Sequence, residues 1–225
     1  MTDYTLIRSK RKTVALYITK DATVQVRAPL KVPKAQIDSF VASKKKWIDK
    51  HLAAREQNLK DKAAFTVSYG SCVSVRGQEY LIVAREGGRV GLDDSCFYLP
   101  FGLSPEEIKG VIVQIYRRVA KKLLTDRVTK FAKLTGLTPA AVKINGAKTR
   151  WGSCSPRNSL NFSWRLIMAE DDVIDYVVVH ELMHIKEHNH SDRFWAAVER
   201  VLPDYAQRKA KLKGLQKKLA GEDWG

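Results

Sequence analysis

Nowhere does an apolar run approach the ~18 residues that would suggest a membrane span, so none is expected. Cysteine is scarce: Cys72, Cys96 and Cys154 are odd in number, dispersed and without CxxC spacing. That pattern excludes a disulfide framework and fits a reducing, cytoplasmic compartment. The opening residues, Met1-Thr2-Asp3-Tyr4-Thr5-Leu6, lack a basic stretch followed by an apolar one, so no secretory leader is expected. Internal repeats and low-complexity linkers are absent too, which excludes a solenoid or a mainly disordered chain. Negative charge is in deficit. Twenty-four Asp/Glu face forty Lys/Arg, a net +16 with a pI near 9.8. Such a surface attracts polyanions over long range. Weak, sequence-independent nucleic-acid binding is therefore expected beside the plainer reading of a solvated surface. The excess lies mainly in Arg8 to Lys12, Lys44 to Lys46 and Arg208 to Lys218.

What is present is enough for a real core: 225 residues, 44% of them hydrophobic. Residues 13–19 and 24–28 alternate apolar and polar around a turn at Lys20-Asp21-Ala22, which predicts a hairpin. A helix is predicted from Pro33 to about residue 58, then short strands over 65–100 punctuated by glycines. Ser104-Pro105-Glu106-Glu107 has the composition of a helix start, and Gly136 that of its stop. Residues 141–165 predict two strands around the loop at 149–158, with Asn161, Trp164 and Arg165 on the second. Helices follow from about 171, over 192–202 and over 204–220. The expected class is α+β: a β-rich N-terminal part, 1–102, with one helix, and a helical C-terminal part, 103–225, with a soft boundary between them.

Four of the five histidines fall between 180 and 190. On a helix, His180 and His184 project from one face, where two imidazoles reach a single Zn²⁺ at ~2.0–2.1 Å. Glu181, beside the first of them, completes HExxH and is placed to touch a water as general base. The apolar neighbours Val177–Val179 and Leu182-Met183 predict a helix buried on most sides, where unpaired histidines are costly. A catalytic zinc needs a third protein ligand. His188 lies too far along a straight helix, about 12 Å from His180 at ~1.5 Å per residue. His190 converges if the chain turns at 188–190, with Asn189 closing the helix and Ser191 capping the next. Glu199 as carboxylate and Cys154 as thiolate are the other options.

The spacing HExxHxxxxxH resembles that of metzincin peptidases, except that Glu187 stands where they carry Gly. A closer resemblance, over nearly the whole chain, is to the YgjP-like metallopeptidase-domain family. It is carried by Arg150-Trp151-Gly152-Ser153-Cys154, Leu160-Asn161-Phe162-Ser163-Trp164-Arg165-Leu166, Val179-His180-Glu181-Leu182-Met183-His184, Asn189-His190-Ser191 and Phe194-Trp195. The resemblance implies a zincin-like catalytic half, with His180, His184 and His190 as metal ligands. The resulting expectation is a zinc-dependent hydrolase of peptides or proteins with Glu181 as base. Arg150, Asn161 and Arg165 are candidate substrate-binding residues: the strand of Asn161 would pair with an extended peptide, and either arginine would stabilise an oxyanion. Alternatives from other classes are a metal-dependent endoribonuclease and a nucleic-acid-binding module with a structural zinc. Glu181 argues against the first, and a three-ligand site with an open position against the second.

Overall fold

The computed structural model describes residues 2–225. The chain forms two compact units. One holds the residues up to Phe65 with Leu219–Asp223 and Gly225; the other holds Thr66–Lys218 with Trp224.

In the first unit the predicted hairpin is present as β2 (Ala15–Ile18) and β3 (Val24–Pro29), antiparallel. An unpredicted strand, β1 (Thr5–Ser9), pairs parallel to β3 and puts β3 at the centre of the order β1-β3-β2. Alternation gives the sheet a buried face, Val24, Val26 and Ala28, against Ile37, Val41 and Ile48 of the helices. Those helices are α1 (Lys34–Ser43) and α2 (Lys45–Ala64), where the sequence predicted one. The break falls at Lys44, φ −101° and ψ 9°, and lets apolar residues on both sides of it reach the same core.

In the second unit β4 (Cys72–Val75) and β5 (Gln78–Ala84) form a hairpin. Its turn at Arg76-Gly77 has φ of 52° and 78°, so glycine relieves half of the strain. With β6 (Gly91–Leu92) and β7 (Cys96–Leu99) they make a four-stranded sheet, β4-β5-β7-β6. The long helix α3 (Pro105–Thr135) starts at the expected capping box of Ser104 and Glu107 and stops at Gly136, φ 71°. A second sheet follows, of β8 (Ala141–Asn145), β9 (Gly152–Cys154) and β10 (Ser159–Ser163) in the order β8-β10-β9. Trp164 and Arg165, expected on a strand, begin a buried 3-10 turn, Trp164–Met168. Then come α4 (Asp171–Met183), α5 (Asp192–Val201) and α6 (Tyr205–Lys218). Among the described residues, no helix is long and apolar enough to cross a membrane.

The mixed α+β class is as expected, but the units divide near residue 65, whereas the sequence reading set its boundary near 102. The strands of 72–99 share a core with α3 and the 3-10 turn. Phe97 meets Tyr116 edge-on at 5.7 Å, Tyr116 stacks on Trp164 at 5.6 Å, and the Tyr116 hydroxyl donates to Ser74 O. The Arg76 amide also donates to Ile167 O at 2.7 Å.

Candidate metal centre

Helix α4 begins with Asp171 and Asp172 in its first turn, where negative charge suits the positive end of the helix dipole. Its apolar run then goes inside: Val173, Ile174, Tyr176, Val177–Val179, Leu182 and Met183 are all buried. The helix ends at Met183, five residues or more before the turn that the sequence predicted. The chain coils on through a tight turn in which Glu187 N donates to Met183 O at 2.9 Å. That turn brings Glu187 O to 3.0 Å from His184 Nδ1. A proton on Nδ1 is thereby held, and Nε2 is left with its lone pair free. Asn189 and His190 then swing back, and the Ser191 hydroxyl accepts from Phe194 N to cap α5, as expected.

The result is a convergence of three imidazoles. His180, His184 and His190 each offer a ring nitrogen, all within 4.8 Å of one another. The Nε2 atoms of His180 and His190 are 3.1 Å apart. Two ligands on a tetrahedral zinc with ~2.0–2.1 Å bonds are separated by about 3.3 Å, so the spacing is close to what an ion needs. Phe194, fully buried, lies under all three rings at 4.5–4.9 Å between centroids. Trp195 stacks on His190 on one side and on Tyr205 on the other. Burial, then the neighbouring His184 and His190, push the His180 pKa down to about 3, and burial lowers that of His184. Both rings are neutral donors at ordinary pH. His180 Nδ1 is buried with no hydrogen-bond partner among the described residues, so packing, and not a bond at this nitrogen, holds that edge of the ring.

The other options for the third ligand do not join this group. Glu199 is exposed on α5. Cys154 is half-buried on β9, and burial together with the Glu181 charge holds its thiol above the usual pKa, disfavouring the thiolate a metal requires. His188 is exposed and outside the cluster.

Glu181 points from α4 onto β9. It is only 6% exposed, and its Cγ and Oε1 lie 2.6 Å from where a Cβ on Gly152 would be. Burial raises its pKa to about 7, against a smaller opposing effect of the Arg150 charge. A carboxyl group so poised accepts a proton readily near neutrality. Arg150 itself is exposed.

The two remaining candidate residues are placed differently from the sequence reading. Asn161 is on β10, paired with Lys143 of β8 on one side and with Ser153 of β9 on the other. A central strand has no free edge to offer a peptide. The edge strand against α4 is β9. Arg165 is 8% exposed, donates to Gly146 O at 2.9 Å and lies over the Trp164 ring at 4.5 Å. These bonds tie it into the framework. Sequence reasoning gave no role to Gly152, to the platform of Phe194 and Trp195, or to Tyr176, which is one helical turn before His180 with its ring 5.8 Å away. The four-residue spacing of Tyr176 and His180 was the available signal.

Such a centre in a mixed α and β frame is of the metal-dependent peptidase class. The profile of the YgjP-like metallopeptidase domain matches residues 12–215, and the chain belongs to that family. No curated protein matches it. Among solved structures it is similar to the metallopeptidase zymogen of Pyrococcus abyssi abylysin. The identity is 24% and the TM-score 0.38, over 43% of this chain and 94% of that one. The metallopeptidase zymogen of Methanocaldococcus jannaschii jannalysin is similar at 21% identity and a TM-score of 0.37, over 42% of this chain and 96% of that one.

Proposed function

We infer that the chain is a zinc-dependent peptidase in which His180, His184 and His190 hold the ion and Glu181 is the general base. The observation that carries this reading is the convergence of three imidazoles, with the buried Glu181 next in sequence to the first of them. Three nitrogen donors suit zinc and leave a position open, as catalytic sites do and structural ones do not. When bound, zinc polarises a carbonyl and acidifies water. Glu181 takes a proton from a water in the cleft and passes it to the leaving amine. Arg150, whose charge acts on Glu181, is the candidate for steadying a developing oxyanion. The free edge of β9 supports an extended peptide as substrate, because such a chain adds to a sheet edge through its backbone. The absence of cystine pairing, with all three cysteines free, fits a cytoplasmic setting.

The test is metal analysis together with peptide-library hydrolysis. The parent is expected to hold about one zinc per chain. His190→Ala should lose most of it and His188→Ala should keep it. Glu181→Gln should fold and hold zinc yet lose about 10²–10⁴-fold in rate. Full zinc retention in His190→Ala removes the third ligand from the proposal, and full activity in Glu181→Gln removes the base. RNA cleavage that requires Glu181 would replace peptide hydrolysis with phosphodiester hydrolysis.

A further inference from the structure

The first compact unit contributes nothing to the histidine cluster, yet its sheet has an unusual outer face. The inner face is sealed by α1 and α2. Alternation therefore sends Thr5 and Ile7 of β1, Gln25 and Arg27 of β3, and Ala15 and Tyr17 of β2 outward. Register sets Ile7, Arg27 and Ala15 in one row, and Thr5, Gln25 and Tyr17 in the next. Ile7 is 38% and Tyr17 42% exposed, so among the described residues these two large side chains of the outer face are open to solvent. The Arg27 guanidinium lies 4.9 Å over the Tyr17 ring, and its Nε donates to Gln25 Oε1 at 3.0 Å. A flat cation is thus held against a flat ring on an open sheet.

The charge around this platform has one sign. Residues 4–32, which form the sheet and its turns, hold seven Lys/Arg against a single acid, Asp21. The other acids of this stretch of chain up to Phe65, apart from Asp3, lie on the helices. There Asp38 is engaged by Lys34 and Asp49 by Lys45. Among the described residues none of the seven sheet-side cations is in an ion pair. Arg8 at the rim spends its guanidinium on the carbonyls of Pro29, Leu30 and Val32, which fixes its position without neutralising it.

We propose that the outer face of the β1-β3-β2 sheet binds single-stranded nucleic acid, with bases stacking on Tyr17 and Arg27 and phosphates meeting the basic rim. The chemistry selects this occupant. An unpaired base has a π-face that an aromatic ring or a guanidinium plane stacks against, and its phosphate needs a nearby cation. A duplex hides its bases, and a flat sheet places nothing in its grooves. Lys44, Lys45 and Lys46, which the sequence singled out, lie at the break before α2 and in its first turn, where Lys45 is already paired.

The experiment is a fluorescence-anisotropy titration of the full chain with labelled mixed-sequence single-stranded DNA and RNA of about twelve nucleotides, and with the matching duplexes, at two salt concentrations. Single strands should bind more tightly than duplexes, and binding should weaken steeply with salt. Tyr17→Ala should weaken single-strand binding about tenfold or more. Tyr17→Phe should retain it, and Arg27→Glu should weaken it further. Both sites are exposed, so zinc content and peptide hydrolysis stay at the parent level, which separates failure here from failure of the peptidase reading. Absence of binding at low salt, equal binding of duplex, or indifference to Tyr17→Ala overturns the proposal. So does a loss confined to the triple reversal of Lys44, Lys45 and Lys46 to Glu, which would place the anion site on α2. Binding to phosphatidylserine vesicles that depends on Tyr17, without oligonucleotide binding, would make the face a membrane contact instead.

Discussion

At the scale of single residues, the least conspicuous member of the site makes the sharpest demand. Gly152 has no side chain because the Glu181 carboxyl occupies the space one would take, at 2.6 Å. A methyl group there must displace either the β9 backbone or the carboxyl, and the carboxyl is the end of a flexible chain. Gly152→Ala is therefore expected to fold and to hold metal normally while losing about 10²-fold in hydrolysis, the scale of a misplacement of about 1 Å in a reacting group. Zinc content and single-turnover rates measured together check this, and a Gly152→Ala protein as active as the parent would mean that Glu181 does not act from its observed position. His180, His184 and Glu181 were legible in the sequence because a helix turns three and four residues apart into neighbours. Gly152 was quoted in the sequence as part of a motif, but its role was not legible, because the contact it permits joins a strand to a helix nearly thirty residues later. Arg165 misled for a related reason: a charged residue reads as a surface or site residue until its buried partners, Gly146 O and the Trp164 ring, are known.

At the scale of elements, local chemistry was the readable part. The capping box of α3, the left-handed Gly136 and the Ser191 cap of α5 depend on residues within a few positions of one another, and all three are where the sequence placed them. Pairings that depend on distant chain were not readable. The parallel partner of β3, the strand β1, carries little alternation of its own, and β10 became central only because β8 and β9 took both of its edges. The start of α4 shows how a long-range contact acts on an element. Asp171, in its first turn, pairs with Arg76 at 2.5 Å and with Arg127 at 3.2 Å. The hydrogen bond from Arg76, and then the charges of both arginines, hold its pKa below the usual aspartate value. A carboxylate whose pKa is lowered by folding stabilises the native state fully above its unfolded value, about 3.9. That contribution is lost as the pH falls through the lower, folded value. Asp171 is partly exposed, so solvent screens the pair and the contribution is about 1 kcal/mol or less. Asp171→Asn should lower the urea midpoint at pH 7, and the difference from the parent should close as the pH drops below about 4. A difference independent of pH would assign the effect to helix capping or packing, not to charge.

At the scale of the whole molecule, the chain separates two kinds of chemistry by unit. Every residue of the histidine cluster, its Phe194 and Trp195 platform and the Glu181–Gly152 contact belongs to Thr66–Lys218. The sheet that carries unpaired positive charge belongs to the other unit, which holds the residues up to Phe65 with Leu219–Asp223 and Gly225. Composition disclosed the overall +16 but not this partition, because the division at residue 65 depends on strands 72–99 packing with α3, a contact between distant segments. The partition has a thermodynamic consequence. An ion held by His180, His184 and His190 binds only where these side chains are folded together, so it stabilises that unit by an amount that grows with the logarithm of free metal over its dissociation constant. At a thousandfold excess that amounts to about 4 kcal/mol. Hydrogen exchange of the full chain, with zinc and with chelator, reads where this energy goes. Amides of α4 and α5 should exchange more slowly with zinc by up to about 10³-fold, as far as their exchange follows opening of that unit. Amides of β1, β2 and β3 should exchange at the same rate in both conditions. Slowing of equal size in both units would mean that they open as one cooperative body. No slowing on α4 and α5 would mean that the three imidazoles do not hold the ion.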